Sequence, residues 1–312
     1  MKKIKASNQK EIDDIELTQD FDKSTGINWY PGHMARAIRE IKEKLSGVDI
    51  VFEIRDARAP LASGNASLEN LLRQKSRLIL LNKVNLAYNN SISKWEKWFE
   101  AQGVPFLFID CFDKGAMKKV MIKARAIVAQ KRKESSPDGQ VTKTKMRLMI
   151  IGLPNTGKST IINQLAGRNA TKIADKPGQT QVQQLIVIDK DLDLIDTPGV
   201  MPISVAKEEH GLWLSALNAI PDDVVGEERP ACYLLNYFQN LANKEFIEKY
   251  NFEPSELKSL STDEMLLKIA TRRGCIKQQG KPDLERVYKL ILNDFRQGEL
   301  GKCCFGEPPT DG

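Results

Sequence analysis

The octapeptide Gly152-Leu153-Pro154-Asn155-Thr156-Gly157-Lys158-Ser159 fits the pattern GxxxxGKS, which constrains the fold of a chain more than any other stretch here. The pattern works only between a strand and a helix. Leu148–Ile151 (LMII) is an apolar run of the buried-strand type, and Thr160–Leu165 can open a helix. The glycines let the backbone wrap phosphates, while loop N–H groups and the helix N-terminus supply positive potential. Lys158 is placed to reach the β- and γ-phosphates, and Ser159 to ligate Mg²⁺. Asn155, Thr156, Gly157, Lys158, Ser159 and Thr160 are therefore candidate nucleotide contacts. The bland alternative is a glycine-rich turn with no ligand.

Strand-like apolar runs recur at Asp49–Ile54 (DIVFEI), Leu78–Leu81, Val104–Ile109, Leu185–Ile188 and Leu192–Ile195. Helical spacing separates several of them, at Met34, Ile38, Ile41 and Leu45, at Ser93–Ala101 and at Met117–Ala129. Strands alternating with helices predict an α/β fold, a mainly parallel sheet with helices on both faces. After Pro221 the strand pattern stops, and Pro230–Tyr250, Thr262–Arg273 and Asp283–Phe295 read as helices. The expected organisation is a charged, flexible tail over 1–26, a nucleotide-binding domain over 27–220 and a small all-α domain over 221–312.

The 312 residues, 41% hydrophobic and 28% charged, suit two soluble globular domains. No apolar run approaches the ~20 residues of a membrane span, and no apolar core follows the basic N-terminus. A cytoplasmic protein with no membrane partner is expected, monomeric when free. The five cysteines form no CxxC pair and leave an odd count, so reduced thiols are expected rather than a disulfide framework or a zinc site. Net charge is +6, but between Lys114 and Arg147 eleven basic residues face only Glu134 and Asp138. Such a concentration fits a polyanionic partner, and equally a solvated helix face followed by a linker.

Asp196-Thr197-Pro198-Gly199 follows the run at Leu192–Ile195, where the metal-site carboxylate of a P-loop NTPase belongs. Asp196 would hold Mg²⁺ and the Gly199 N–H would meet the γ-phosphate. In Lys176-Pro177-Gly178-Gln179-Thr180, Thr180 would complete the metal shell, or the segment is a plain loop. Asn82-Lys83-Val84-Asn85 resembles the NKxD base-reading motif of GTPases but precedes the P-loop. The order NKxN, P-loop, PGQT, DTPG is that of a circularly permuted GTPase. Val104–Ile109 then leads to the second base-contacting loop at Asp110-Cys111.

With these motifs stand Trp29-Tyr30-Pro31-Gly32-His33-Met34, Asp56-Ala57-Arg58-Ala59-Pro60 followed by Asn65, Arg272-Arg273-Gly274-Cys275, and Asp283 to Arg286 with Leu292 to Arg296 and Gly298. Taken together, from Ile27 to Gly301, the chain resembles circularly permuted GTPases of the ribosome-biogenesis GTPase A (YlqF-like) family. The resemblance implies a GTPase domain and a helical RNA-binding domain acting in late assembly of the large ribosomal subunit. It implies GTP and GDP as ligands, Mg²⁺ as cofactor, and the precursor subunit and its rRNA as partners.

Two motifs depart from the family. Asn85 stands where an Asp reads guanine N1–H and N2–H₂, and Asp110-Cys111 replaces a Ser-Ala pair. An amide offers one acceptor and turns a donor toward the exocyclic amine. Val200 stands where Ras-like enzymes carry a water-orienting Gln. His33 is the first candidate for that role and His210 the second; with Lys158 and Thr180, His33 completes the expected catalytic set. Asn155 also matches potassium-stimulated GTPases, which makes K⁺ a candidate activator. The leading reading is a GTP-hydrolysing assembly factor whose nucleotide state controls rRNA association. The rival is an RNA-binding assembly protein with a degenerate nucleotide pocket, of weak guanine selectivity and little turnover.

Overall fold

The computed structural model describes residues 31–136, 144–167, 171–172, 185–195 and 208–309, with backbone alone at 31–37, 66–67, 171–172, 185–186 and 189. Seven strands form one sheet: β1 (Ile50–Asp56), β2 (Ser76–Asn82), β3 (Phe106–Phe108), β4 (Met146–Gly152), β5 (Thr171–Lys172), β6 (Leu185–Asp189) and β7 (Leu192–Ile195). Their order is β3-β2-β1-β4-β7-β6-β5. The pairs from β3 through β7 are parallel; β6 pairs antiparallel with both β7 and β5.

Burial on both faces explains why the central strands β1, β2 and β4 read as continuous apolar runs. All seven residues of β1 are buried. Ile50, Phe52 and Ile54 join Leu78, Leu80, Leu148 and Ile150 under two helices, α4 (Ala116–Ser135) and α5 (Lys158–Ala166). On the opposite face Val51, Met149 and Ile151 meet Ile41 and Leu45 of α1 (Pro31–Leu45) and Leu68 and Leu72 of α2 (Ala66–Leu72). Trp95 and Phe99 of α3 (Asn89–Ala101) cover Ile79 and Leu81.

Beyond the sheet lie α6 (Glu208–Ala216), α7 (Asp222–Val225), α8 (Glu228–Leu241), α9 (Lys244–Tyr250), α10 (Pro254–Leu257), α11 (Thr262–Arg272) and α12 (Leu284–Gln297). The helix expected over Pro230–Tyr250 is two helices. Ala242 takes a left-handed φ of 47°, and the Asn243 side chain accepts from Phe246 N–H to cap the second helix. Ser261 and Asp283 cap α11 and α12. The helical core centres on Phe238, Phe246, Ile269, Ile291 and Phe295, and it takes in Trp213 and Leu217 from α6 and the turn after it. Ala59, from the loop after β1, also belongs to this core.

Candidate functional site

Three chain segments meet at the C-terminal edge of the parallel strands. β4 delivers the P-loop beside β1, and Gly152 lies so close that a Cβ there would sit 2.4 Å from the Ile54 carbonyl oxygen. Gly157, at φ 104°, starts α5. The Thr156 hydroxyl donates to the Leu153 carbonyl at 2.9 Å, closing the loop on itself. Lys158 Nζ donates to the same carbonyl at 2.6 Å, and burial pulls its pKa down to about 8. Ser159 presents an exposed side chain in the first turn of α5. The fold thus sets a cation and a helix N-terminus over a backbone loop, the arrangement that binds phosphate.

β2 brings Asn82 and Lys83 to the same edge. Asn82 is buried; its Nδ2 donates to the Thr156 carbonyl at 3.0 Å and its Oδ1 accepts the Cys111 N–H at 3.1 Å. One amide therefore ties the P-loop to the Asp110-Cys111 loop. Lys83, at a left-handed φ of 63°, donates to the Asn155 carbonyl at 2.7 Å. Asn85 is exposed in the 3-10 turn Val84–Leu86. Asp110 Oδ1 accepts the Phe112 N–H at 2.9 Å, shaping the turn from which Phe112 projects, 74% exposed. Cys111 is buried, and burial pushes its thiol pKa up.

Asn155 faces the helical region. It has φ 58°, and its Nδ2 donates to the carbonyl of Asn218, in the turn after α6. Leu153 packs with Leu214, Ala219 and Ile220. The P-loop therefore rests on the turn after α6, within the helical region. Nothing in the sequence signals this contact: Leu153 is an unspecified position of the GxxxxGKS pattern, and Asn218 lies in no motif.

Of the other candidates, His33 lies in the first turn of α1 with its backbone alone described. Thr180, Asp196, Gly199 and Val200 lie outside the described residues, as does the tail 1–26. His210 sits in α6 with its ring centroid 4.8 Å from that of Trp213, in the helical region.

The basic stretch divides in two. Lys123 donates to the Phe106 carbonyl, Arg132 pairs with Asp49 at 3.1 Å, and Lys145 pairs with Asp193 at 3.3 Å. Lys114, Lys118, Lys119, Arg125, Lys131 and Lys133 are exposed. A second basic surface surrounds a cavity of about 480 Å³ lined by Arg272, Arg273, Arg286 and Lys289 among others. All five cysteines are free. No helix among the described residues is long and apolar enough to cross a membrane.

Residues 147–251 match the profile of the 50S ribosome-binding GTPases. The ribosome biogenesis GTPase A of Bacillus licheniformis is 34% identical over 284 residues, 90% of this chain and 98% of that one. The protein of the same name from Thermotoga maritima is 31% identical, over 90% and 95%. The mitochondrial ribosome-associated GTPase 1 of Xenopus tropicalis is also 31% identical, again over 90% and 95%. A solved GNP-bound YlqF from Thermotoga maritima superposes with a TM-score of 0.62 at 27% identity, covering 88% of this chain and all of that one. A GDP-bound YlqF gives 0.61 at 28%, over 86% and 99%. On these grounds and on its P-loop architecture, the chain belongs to the ribosome biogenesis GTPase A family.

Proposed function

We propose that the protein binds GTP, hydrolyses it to GDP and phosphate, and uses its nucleotide state to control association with the precursor of the large ribosomal subunit and its rRNA. The observation that carries this reading is the convergence of the Lys158 loop and the Asn82-Lys83 segment at one sheet edge, joined by the Asn82–Thr156 hydrogen bond. The base-reading segment precedes the P-loop in the chain yet abuts it in space, which supports the circularly permuted reading. Its similarity to 50S ribosome-binding GTPases supports the large subunit as partner.

Magnesium suits the donors available. Ser159 presents a hydroxyl in the first turn of α5, and Thr180 and Asp196 would add a second hydroxyl and a carboxylate, an all-oxygen set. A bound Mg²⁺ would neutralise charge on the β- and γ-phosphates. The chain's own contribution is to hold those phosphates with Lys158 and the loop amides, and to place a water-orienting side chain, for which His33 is the candidate. Asn155 is the residue through which K⁺ would act as an activator.

The exposed face of α4 and the basic cavity rim at Arg273, Arg286 and Lys289 would take up rRNA phosphates, in an otherwise cytoplasmic, monomeric protein. The amide at Asn85, with one acceptor where a carboxylate would offer two, and the Asp110 beside Cys111 favour the rival reading of a base pocket with weak guanine selectivity. The experiment that decides is phosphate release from GTP with and without large ribosomal subunits, alongside co-sedimentation in GTP, a non-hydrolysable analogue and GDP. Ribosome-stimulated hydrolysis with nucleotide-dependent binding is expected. Binding that ignores the nucleotide, with no release, would establish the rival.

A further inference from the structure

The site described above accounts for Lys83 but not for the charged groups behind it. Asp56 ends β1 and is 2% exposed. Its Oδ2 lies 3.1 Å from Lys83 Nζ and 3.0 Å from an Arg58 terminal nitrogen, and its Oδ1 accepts from the Arg58 backbone N–H and Nε, each at 3.0 Å. Burial pushes the Asp56 carboxyl up, but the Arg58 and Lys83 charges and the Arg58 hydrogen bonds outweigh it and hold the pKa well below the usual carboxylate range. Arg58, also 2% exposed, turns its other side to the helical region. Its guanidinium lies 5.0 Å from the Phe295 ring and donates to the Phe295 carbonyl at 3.4 Å, while its own carbonyl accepts the Phe305 N–H at 2.6 Å.

We propose that Asp56 and Arg58 are positioning residues of the nucleotide site. The Asp56 carboxylate holds Lys83 against the Asn155 carbonyl of the P-loop, and Arg58 ties that carboxylate to the packing of α12, so that the seating of the helical region sets nucleotide affinity. This rests on the nucleotide-binding reading above.

The ammonium of Lys83 has two fixed acceptors, one in the P-loop and one at the end of β1, so its lateral position is set by the carboxylate. The loop bearing Arg58 cannot relax alone. Ser63 Oγ accepts the Asp56 N–H at 2.9 Å and donates to the Ala59 carbonyl at 2.6 Å, and Arg55 donates to the Pro60 carbonyl at 3.1 Å. Ala59 is itself part of the helical core. A shift of α12 therefore reaches Lys83 through one loop and one carboxylate. The competing reading is a buried ion pair that only stabilises the fold; it predicts lower melting temperatures with unchanged affinity in variants that remain folded.

The test uses the full chain and a fluorescent methylanthraniloyl-GDP probe, well below the unfolding midpoint of each variant. Asp56→Asn keeps the shape and removes the charge; it should weaken GDP binding about tenfold, mostly through faster release, ~1.4 kcal/mol by the standard conversion. In a Lys83→Met background the same substitution should change affinity less than threefold. Arg58→Lys, which keeps a cation but loses the planar fork, should give a threefold or larger loss. In the wild type, GDP should slow amide exchange at Arg58 and Phe305 more than in α11. Wild-type affinity in a folded Asp56→Asn, additive losses in the double variant, or uniform protection would each overturn the inference. If Asp56→Asn does not fold, Arg58→Lys and the exchange pattern decide. A wild-type chain that does not bind GDP would overturn the nucleotide reading itself, and this inference with it.

Discussion

Gly157 and Asn82 approach so closely that a Cβ on Gly157 would lie 2.2 Å from the Asn82 side-chain nitrogen. The same Asn82 amide bridges the P-loop and the Asp110-Cys111 loop. Gly157→Ala would therefore force this bridge apart at a φ of 104°, where a non-glycine residue costs about 1–3 kcal/mol. Nucleotide affinity should fall at least tenfold, with a lowered unfolding midpoint. Asn82→Ala, which strands two buried backbone groups at about 1–3 kcal/mol each, should do the same. Isothermal titration with GDP checks both; wild-type affinity in either variant would show that the bridge does not shape the pocket.

Lys158 predicts opposite pH trends for binding and stability. Burial lowers its pKa from 10.5 to about 8 in the ligand-free protein, and a triphosphate would restore the charge. Binding should then take up a proton above pH 8, so affinity holds between pH 7 and 7.5 and falls from pH 8 toward 10. Between about 8 and 10.5 the unfolded chain carries more protons at this residue than the native one, so this residue's contribution to stability rises with pH across that window. Lys158→Ala should abolish both trends and reduce triphosphate binding at least tenfold, since charge-assisted bonds are worth about 1.5–3 kcal/mol. Pairing GTP titrations with urea unfolding at pH 7, 8.5 and 9.5 measures them together. An affinity independent of pH up to 9.5 would remove Lys158 from the phosphate site.

Within the basic stretch, the exposed lysines of α4 are the proposed RNA contacts, whereas Arg132 is engaged with the fold. Charge reversal at Lys131 and Lys133 should weaken association with large subunits and flatten its salt dependence, because each neutralised phosphate releases counterions. Arg132→Ala should instead lower stability, since Arg132 pairs with Asp49 and donates to the Thr144 and Lys145 carbonyls. Co-sedimentation across 50–300 mM salt, with thermal melts, tells the two classes apart. Salt-insensitive binding would make α4 a solvated face.

His33→Ala should cut ribosome-stimulated hydrolysis severely and leave binding of a non-hydrolysable triphosphate close to wild type. A wild-type hydrolysis rate would return His33 to a structural role. His210, packed on Trp213, would then be tested by the same pair of measurements.

The sheet was legible because parallel strands buried on both faces leave uninterrupted apolar runs, and every run singled out lies in or overlaps a strand. The single helix expected over Pro230–Tyr250 failed because Asn243 acts as a cap, and one Asn within an amphipathic pattern carries little signal. The P-loop was legible as a contiguous motif. Roles for Asp56 and Arg58 were not: the segment stood out, but Asp56 meets Lys83 just past the end of the next strand and Arg58 meets Phe295, 237 residues away. Charge pairing across such separations has no periodicity to read.

Asn85 bears on base selectivity. Its carbonyl can accept from guanine N1–H, but its NH₂ meets the 2-amino group donor to donor, whereas xanthine offers a carbonyl there. The Cys111 N–H, in the loop that would meet the base, is already given to Asn82 Oδ1, so the fold supplies no compensating donor from that amide. Donors left unpaired cost about 1–3 kcal/mol, equivalent to roughly tenfold to hundredfold in affinity. Contacts from Lys158 and the P-loop amides are independent of the base, so GTP should still bind. GTP should nevertheless bind more weakly than to Asn85→Asp, and the preference for GTP over XTP should be narrow or reversed in the wild type and wide in the variant. Competition of GTP, XTP and ATP against a labelled GDP on both forms measures this directly. A strong wild-type preference for GTP that Asn85→Asp leaves unchanged would mean that another group reads the base, with Asp110 the next to be substituted.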